Sequence, residues 1–139
     1  MTIRTQTVTI DTRGNGQMQN LTDRVQQAID SSGCAAGIAT VFVTHTTAAV
    51  IVSEFETGLL EDFPGAVDRM VPESGEFRHN QLNHDDNAHS HVRASLLGPS
   101  VTIPFDGRSL RLGTWQQIVL IDFDTHPRSR KVVIQVMGE

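Results

Sequence analysis

A chain of 139 residues is long enough for one domain with a true hydrophobic core, and 38% hydrophobic against 19% charged residues excludes a disordered polymer. A formal net charge of −5, with one Trp and no Tyr, speaks against a nucleic-acid binder or an acidic-membrane binder, which would carry basic surplus or stacking rings. Cys34 is the single cysteine, so no internal disulfide forms. That suits a cytoplasmic protein, as does an N-terminus, MTIRTQTVTI, without the apolar run of a secretory signal.

Ile3, Val8 and Ile10 lie in a Thr-rich run over residues 3–11, which predicts a first strand, broken at Arg13-Gly14-Asn15-Gly16. Leu21, Val25, Ala28 and Ile29 then recur at helical spacing, with Asn20 or Thr22 as cap and Gly33 as stop. Residues 34–52, CAAGIATVFVTHTTAAVIV, match a membrane span in length. Gly37, Thr40, Thr44, His45, Thr46 and Thr47 interrupt them, and β-branched residues dominate, so two strands are expected near 37–44 and 48–54. A helix over 57–71 is expected to break or kink at Phe63-Pro64-Gly65. Residues 72–87 read as a long polar loop, and 88–97 as a short helix ended by Gly98-Pro99. Ser100–Phe105 and Arg108–Leu112 flank the turn Asp106-Gly107, with Pro104 at a strand end or edge. Gln117–Phe123 and Lys131–Met137 are rich in Val and Ile and read as paired, buried strands, joined by Thr125–Ser129. The sum is α+β: one domain over 1–139, a mostly antiparallel sheet with about three helices.

The segment HNQLNHDDNAHSH, residues 79–91, holds four of the six histidines: His79, His84, His89 and His91, beside Asp85 and Asp86. Imidazoles with carboxylates bind zinc and similar ions, and a catalytic zinc needs three protein ligands. No HExxH or paired CxxC spacing is present. A metal site, a metal-free acid–base site and a polar loop therefore all remain open. Geometry makes the helix start decisive. If the helix begins at Ser90, His89 and His91 can converge; if it begins at Asn87, they lie about 200° apart and only one joins the site.

His45, among the hydroxyls of THTTAA, is a candidate general base at a strand end. Glu54 closes an apolar strand and Asp62 sits on a helix; either can orient a histidine or hold a metal. Trp115 and Gln116, in LGTWQQI, are candidate pocket walls. Arg128 and Arg130, in HPRSRK, are candidate clamps for phosphate or carboxylate, or an exposed basic turn. No phosphate-loop or nucleophile-elbow motif is present, and Cys34 has no local base.

These pieces together resemble the YjbQ-like family, also labelled secondary thiamine-phosphate synthase. The residues that carry the resemblance are His45-Thr46-Thr47-Ala48-Ala49, Glu54, Asp62 and His79. They continue through Asp86-Asn87-Ala88-His89-Ser90-His91, Leu97-Gly98, the stretch from Ser100 to Gly113-Thr114-Trp115-Gln116, and Arg130 to Glu139. The resemblance spans nearly the whole chain. It implies a sheet curled into a half-barrel, a homotrimer with sites near subunit boundaries, and the joining of a pyrimidine diphosphate to a thiazole phosphate. His84 has no place in that pattern. With the resemblance, catalytic roles are expected for His45, Glu54 and Asp62, and substrate binding for Trp115, Gln116, Arg128 and Arg130. A divalent metal, zinc or magnesium, is expected on His79, His89 and His91. The expected ligand is a small phosphorylated molecule, with neither nucleic acid nor membrane as partner. A metal-dependent phosphate hydrolase and a non-catalytic trimeric metal- or metabolite-binding module stand as alternatives.

Overall fold

In the computed structural model, which describes residues 1–139, every strand pairing is antiparallel. The first sheet runs β1 (Thr2–Thr12), β8 (Arg128–Gly138), β3 (Ala36–Val43), β5 (Ser100–Asp106), β6 (Ser109–Leu110); the second runs β2 (Gln17–Asn20), β7 (Gln117–Asp122), β4 (Ala48–Ser53). Together they curl into a half-barrel. Helix α1 (Thr22–Ser32) lies in its hollow, and α2 (Thr57–Met70), α3 (Arg78–Asn83) and α4 (Ala88–Leu97) lie outside.

Alternation explains this layering. In the first sheet Ala39, Val41 and Val43 of β3 and Val132, Ile134 and Val136 of β8 point inward and are buried. They meet Leu21, Val25 and Ile29 of α1 and the inner residues Ala48, Val50, Ile118 and Leu120 of the second sheet. The other face of the second sheet, Ala49, Val119 and Ile121, packs under Val67 of α2 and Ala94 of α4. Strand β7 is thus covered on both faces, which is why IVLI has no polar alternation. Burying each of its four side chains stabilises the fold by about 1.5–3 kcal/mol. The outer face of the first sheet has no covering layer and exposes Ile3, Ile38 and Phe42.

Three sequence expectations change. Gln117–Phe123 and Lys131–Met137 do not pair. β7 is the centre of the second sheet and β8 bridges β1 and β3 in the first, because both runs are apolar enough to be central and composition cannot choose partners. Helix α2 does not break at Pro64 but runs through it; Glu56 caps its start by accepting from the Gly58 and Leu59 amides. Residues 72–87 contain α3, a short helix without a buried residue, so no apolar period announced it.

One glycine near the β7 end is demanded by geometry. Gly14 has φ +79°, and a Cβ there would lie 2.3 Å from the Asp124 carbonyl oxygen. The close approach lets the Asn15 and Gly16 amides donate to the carbonyls of Asp124 and Asp122, both at 2.7 Å, and so pins the strand end that carries two aspartates.

Candidate active site

The C-terminal end of β7 carries Asp122 and Asp124 into the interior, where they are 0% and 3% exposed. Arg130, at the start of β8 and 3% exposed, binds both. Its Nε donates to Asp122 Oδ2 at 2.5 Å, and its Nη2 donates to Asp122 Oδ1 at 2.8 Å and Asp124 Oδ2 at 3.3 Å. Nη2 also donates to Thr47 Oγ1 at 2.7 Å, and the Thr12 hydroxyl donates to Asp122. Burial opposes the Arg130 charge, but the hydrogen bonds and charges of Asp122 and Asp124 outweigh it and raise its pKa. Burial likewise pushes the Asp124 carboxyl upward. Hydrogen bonds from the Thr125 amide, Asn87, Arg128 and Thr47 overcome that and hold it at about 2.

This network floors a cleft of about 410 Å³ lined by no apolar side chain. His45 and His91 stand over it, with Thr44, Thr46 and the half-exposed Arg128 at its mouth. His45 Nε2 accepts the Lys131 backbone N–H at 3.0 Å. The neutral ring must then carry its proton on Nδ1, so His45 offers a donor. Its pKa is lowered, first by burial, then by Arg130, Lys131 and Arg128, against the pull of Asp122. The sequence suggested a general base here; the backbone bond at Nε2 assigns the opposite polarity.

His91 complements it. Its side chain forms no hydrogen bond within the chain, and its pKa is lowered first by burial, then by His79, against Asp124 and Asp85. Neutral near pH 7, it has a lone pair free to accept a proton. The His79 ring packs on it with centroids 4.7 Å apart, and His79 Nε2 is buried without a partner. Asn87 donates from Nδ2 to Asp124 Oδ1 at 3.4 Å, while its Oδ1 is buried and unpartnered. Of the three buried polar atoms without a partner, Asn87 Oδ1 belongs to this cleft, His79 Nε2 to the ring packed on His91, and His89 Nδ1 to a residue of the neighbouring cleft.

The histidine triad does not converge. Helix α4 starts after Asn87, so His89 and His91 fall on different faces. His89, 2% exposed, borders a separate cleft of about 240 Å³ with Arg93, Asp68 and Glu73. Its pKa is lowered first by burial, then by Arg93, against Glu73, Asp86 and Asp68. No group of three or more His, Cys, Asp or Glu side chains is placed to hold a metal ion. The donor chemistry agrees: Asp122 and Asp124 are saturated by Arg130, Arg128, threonines and amides. His79, His89 and His91 of one chain therefore do not fit the expected tridentate metal. His84 caps α3 in a left-handed conformation and is exposed.

Four other expected site residues lie elsewhere. Register pairs Ala48 with Asp122 and Ser53 with Gln117. Glu54, Trp115 and Gln116 thus sit at the far end of the second sheet, roughly 17 Å of strand from the cleft. Trp115 is 71% exposed, and Gln116 accepts the Gly113 amide. Asp62 is exposed on α2 beside a shallow cleft with Leu59 and Arg69. Arg130 reaches the site but as its buried floor, while the half-exposed Arg128 binds Asp124 through Nε and keeps its two Nη groups for a ligand. Sequence reading missed Asp122 and Asp124, and gave Thr47 and Asn87 a place in the family motifs but no role. The signal available was IDFD itself: two acids at alternate positions ending a wholly apolar strand.

Fold and cleft define the class: an antiparallel half-barrel around one helix, with a charged cleft at the strand ends. A profile of UPF0047 protein YjbQ-like sequences matches residues 6–139, and the chain belongs to that family. It is 36% identical to a UPF0047 protein of Archaeoglobus fulgidus over 130 residues, covering 94% of this chain and 98% of that one. It is 37% identical to one of Methanothermobacter thermautotrophicus over 139 residues, covering 100% and 95%. Among solved structures, the hypothetical protein APE1520 of Aeropyrum pernix K1 superposes with TM-score 0.91 at 36% identity, covering 98% and 99%. The protein of unknown function SSO2532 of Sulfolobus solfataricus P2 gives 0.89 at 32% identity, covering 99% of each chain.

Proposed function

We propose that this chain is an enzyme acting on a small phosphorylated compound, with His45 and His91 as an opposed donor–acceptor pair. The observation that carries this reading is the Lys131 N–H to His45 Nε2 bond beside an unbonded, neutral His91. Arg128, Thr46 and the His45 Nδ1–H are donors on the side where phosphate oxygens would lie. The YjbQ-like resemblance suggests a specific case. Thiazole nitrogen attacks the methylene of a pyrimidine diphosphate; the C–O bond breaks, and pyrophosphate leaves with its electron pair. Donors at the leaving oxygens stabilise that charge.

A phosphate hydrolase is the second reading, favoured by one feature: the His91 lone pair, which a water nucleophile needs and thiazole alkylation does not. We place the protein in the cytoplasm, in keeping with a buried, unpaired Cys34. No helix is long and apolar enough to cross a membrane. We further propose a homotrimer, supported by the uncovered outer face of the first sheet with Ile3 and Ile38.

The test measures pyrophosphate formation from the two thiamine precursors, and phosphate release from simple phosphate esters, for wild type, His45→Ala and His91→Ala. Loss of transfer in His45→Ala with transfer kept in His91→Ala supports the transferase. Phosphate release lost in both supports the hydrolase. No turnover, with phosphate still bound, would sink catalysis and leave a binding module.

A further inference from the structure

The charged cleft does not end at the two histidines. Thr44, His45, Thr46 and His91 also wall a second chamber of about 540 Å³. Beyond these shared residues it is lined by Phe42, Val43, Ala48, Ala94, Ser95 and Pro99, with no Asp, Glu, Lys or Arg. The two chambers therefore adjoin along a shared wall and have opposite chemistry. One half presents Arg128, Asn87 and Ser129 and no apolar side chain; the other has apolar walls. A phosphate placed in the apolar half would lose water without gaining a cation, at high cost. An uncharged organic body placed in the charged half would strand buried polar groups.

We infer that the ligand carries an uncharged, ring-sized organic group on its phosphate, seated in the Phe42–Ala94–Pro99 chamber, so that the phosphate–organic linkage lies between His45 and His91. This rests on the reading that the charged half holds phosphate. It adds the substrate class, esters of phosphate with an apolar alcohol, and places the reacting bond at the seam. Phe42 and Ser95 become the residues that set specificity. Both are solvent-accessible, and the Ser95 hydroxyl only returns to the His91 carbonyl one helical turn back.

Calorimetric titration with inorganic phosphate and with benzyl phosphate separates the two ideas. Wild type should bind benzyl phosphate about tenfold more tightly, the gain from burying roughly half a ring. Ser95→Phe, which fills the chamber from an exposed position, should abolish that preference and leave inorganic phosphate affinity unchanged. Phe42→Ala should reduce the preference severalfold. Equal affinity for both probes in wild type, or a preference that survives both variants, overturns the inference while the phosphate reading stands. If neither probe binds, the phosphate reading is overturned and the inference falls with it.

Discussion

Two regions of this molecule carry concentrated chemistry, and they are built in opposite ways. The 79–91 segment is dense in histidine and aspartate, yet its side chains scatter. His84 and Asp85 face solvent, His89 turns to one cleft and His91 to another. The ends of β7 and β8 contribute only Asp122, Asp124 and Arg130, but strand pairing locks these into one buried network. Density along the chain is thus a poor guide to convergence in space. A helix disperses close neighbours around its axis, whereas alternate strand positions share a direction.

The largest effect should come from breaking the buried network. Asp122→Ala leaves Arg130 buried with half its partners, and should cost ~3–5 kcal/mol in urea unfolding, enough to unfold much of the chain. A loss below 1 kcal/mol would show that the network contributes little to holding the strand ends. Next in size, if the reaction is phosphate hydrolysis, His91→Ala should reduce phosphate release by about 10²–10⁴-fold, whereas thiazole transfer should survive it. His89→Ala should instead cost ~2 kcal/mol of stability through the cavity it leaves, with turnover unchanged. Equal kinetic losses in the two variants would erase the division that α4 makes between its faces.

Acid should sharpen the same contrast. The folded pKa of Asp124, about 2, lies below its ordinary value of 3.8, so the stability it brings is present above 3.8 and is lost as pH falls toward 2. Asp124→Asn should flatten the acid limb of a stability–pH curve in that window. The histidines shift the same way: His45, His89 and His91 have lowered pKa values, so their contribution is present above about 6.5 and is lost as pH falls through each folded value. A proton–nitrogen correlation spectrum at pH 7 should show His45 protonated at Nδ1 alone; a proton on Nε2 would contradict its bond to Lys131. The smallest effect belongs to Trp115→Ala, within about 0.5 kcal/mol in the monomer because the ring is exposed. A large loss there would mean that another chain covers the ring.

The sequence by itself determined what depends on near neighbours. The alternation of Ala39, Val41 and Val43 set an inward face, the 3.6-residue spacing of Leu21, Val25 and Ile29 set α1, and Gly98 ended α4. It also marked His45, Arg128 and His91, which do share the cleft. Only the tertiary structure decided which partner each strand takes, and with it the site. Thr12 reaches Asp122 across 110 residues of chain, and Thr47 reaches Arg130 across 83. Glu54 and Trp115 looked equally eligible, but antiparallel register carried them to the end of the sheet away from this cleft. The physical reason is that helix and strand periods are local properties of the backbone, whereas register is chosen by the burial of whole faces against one another.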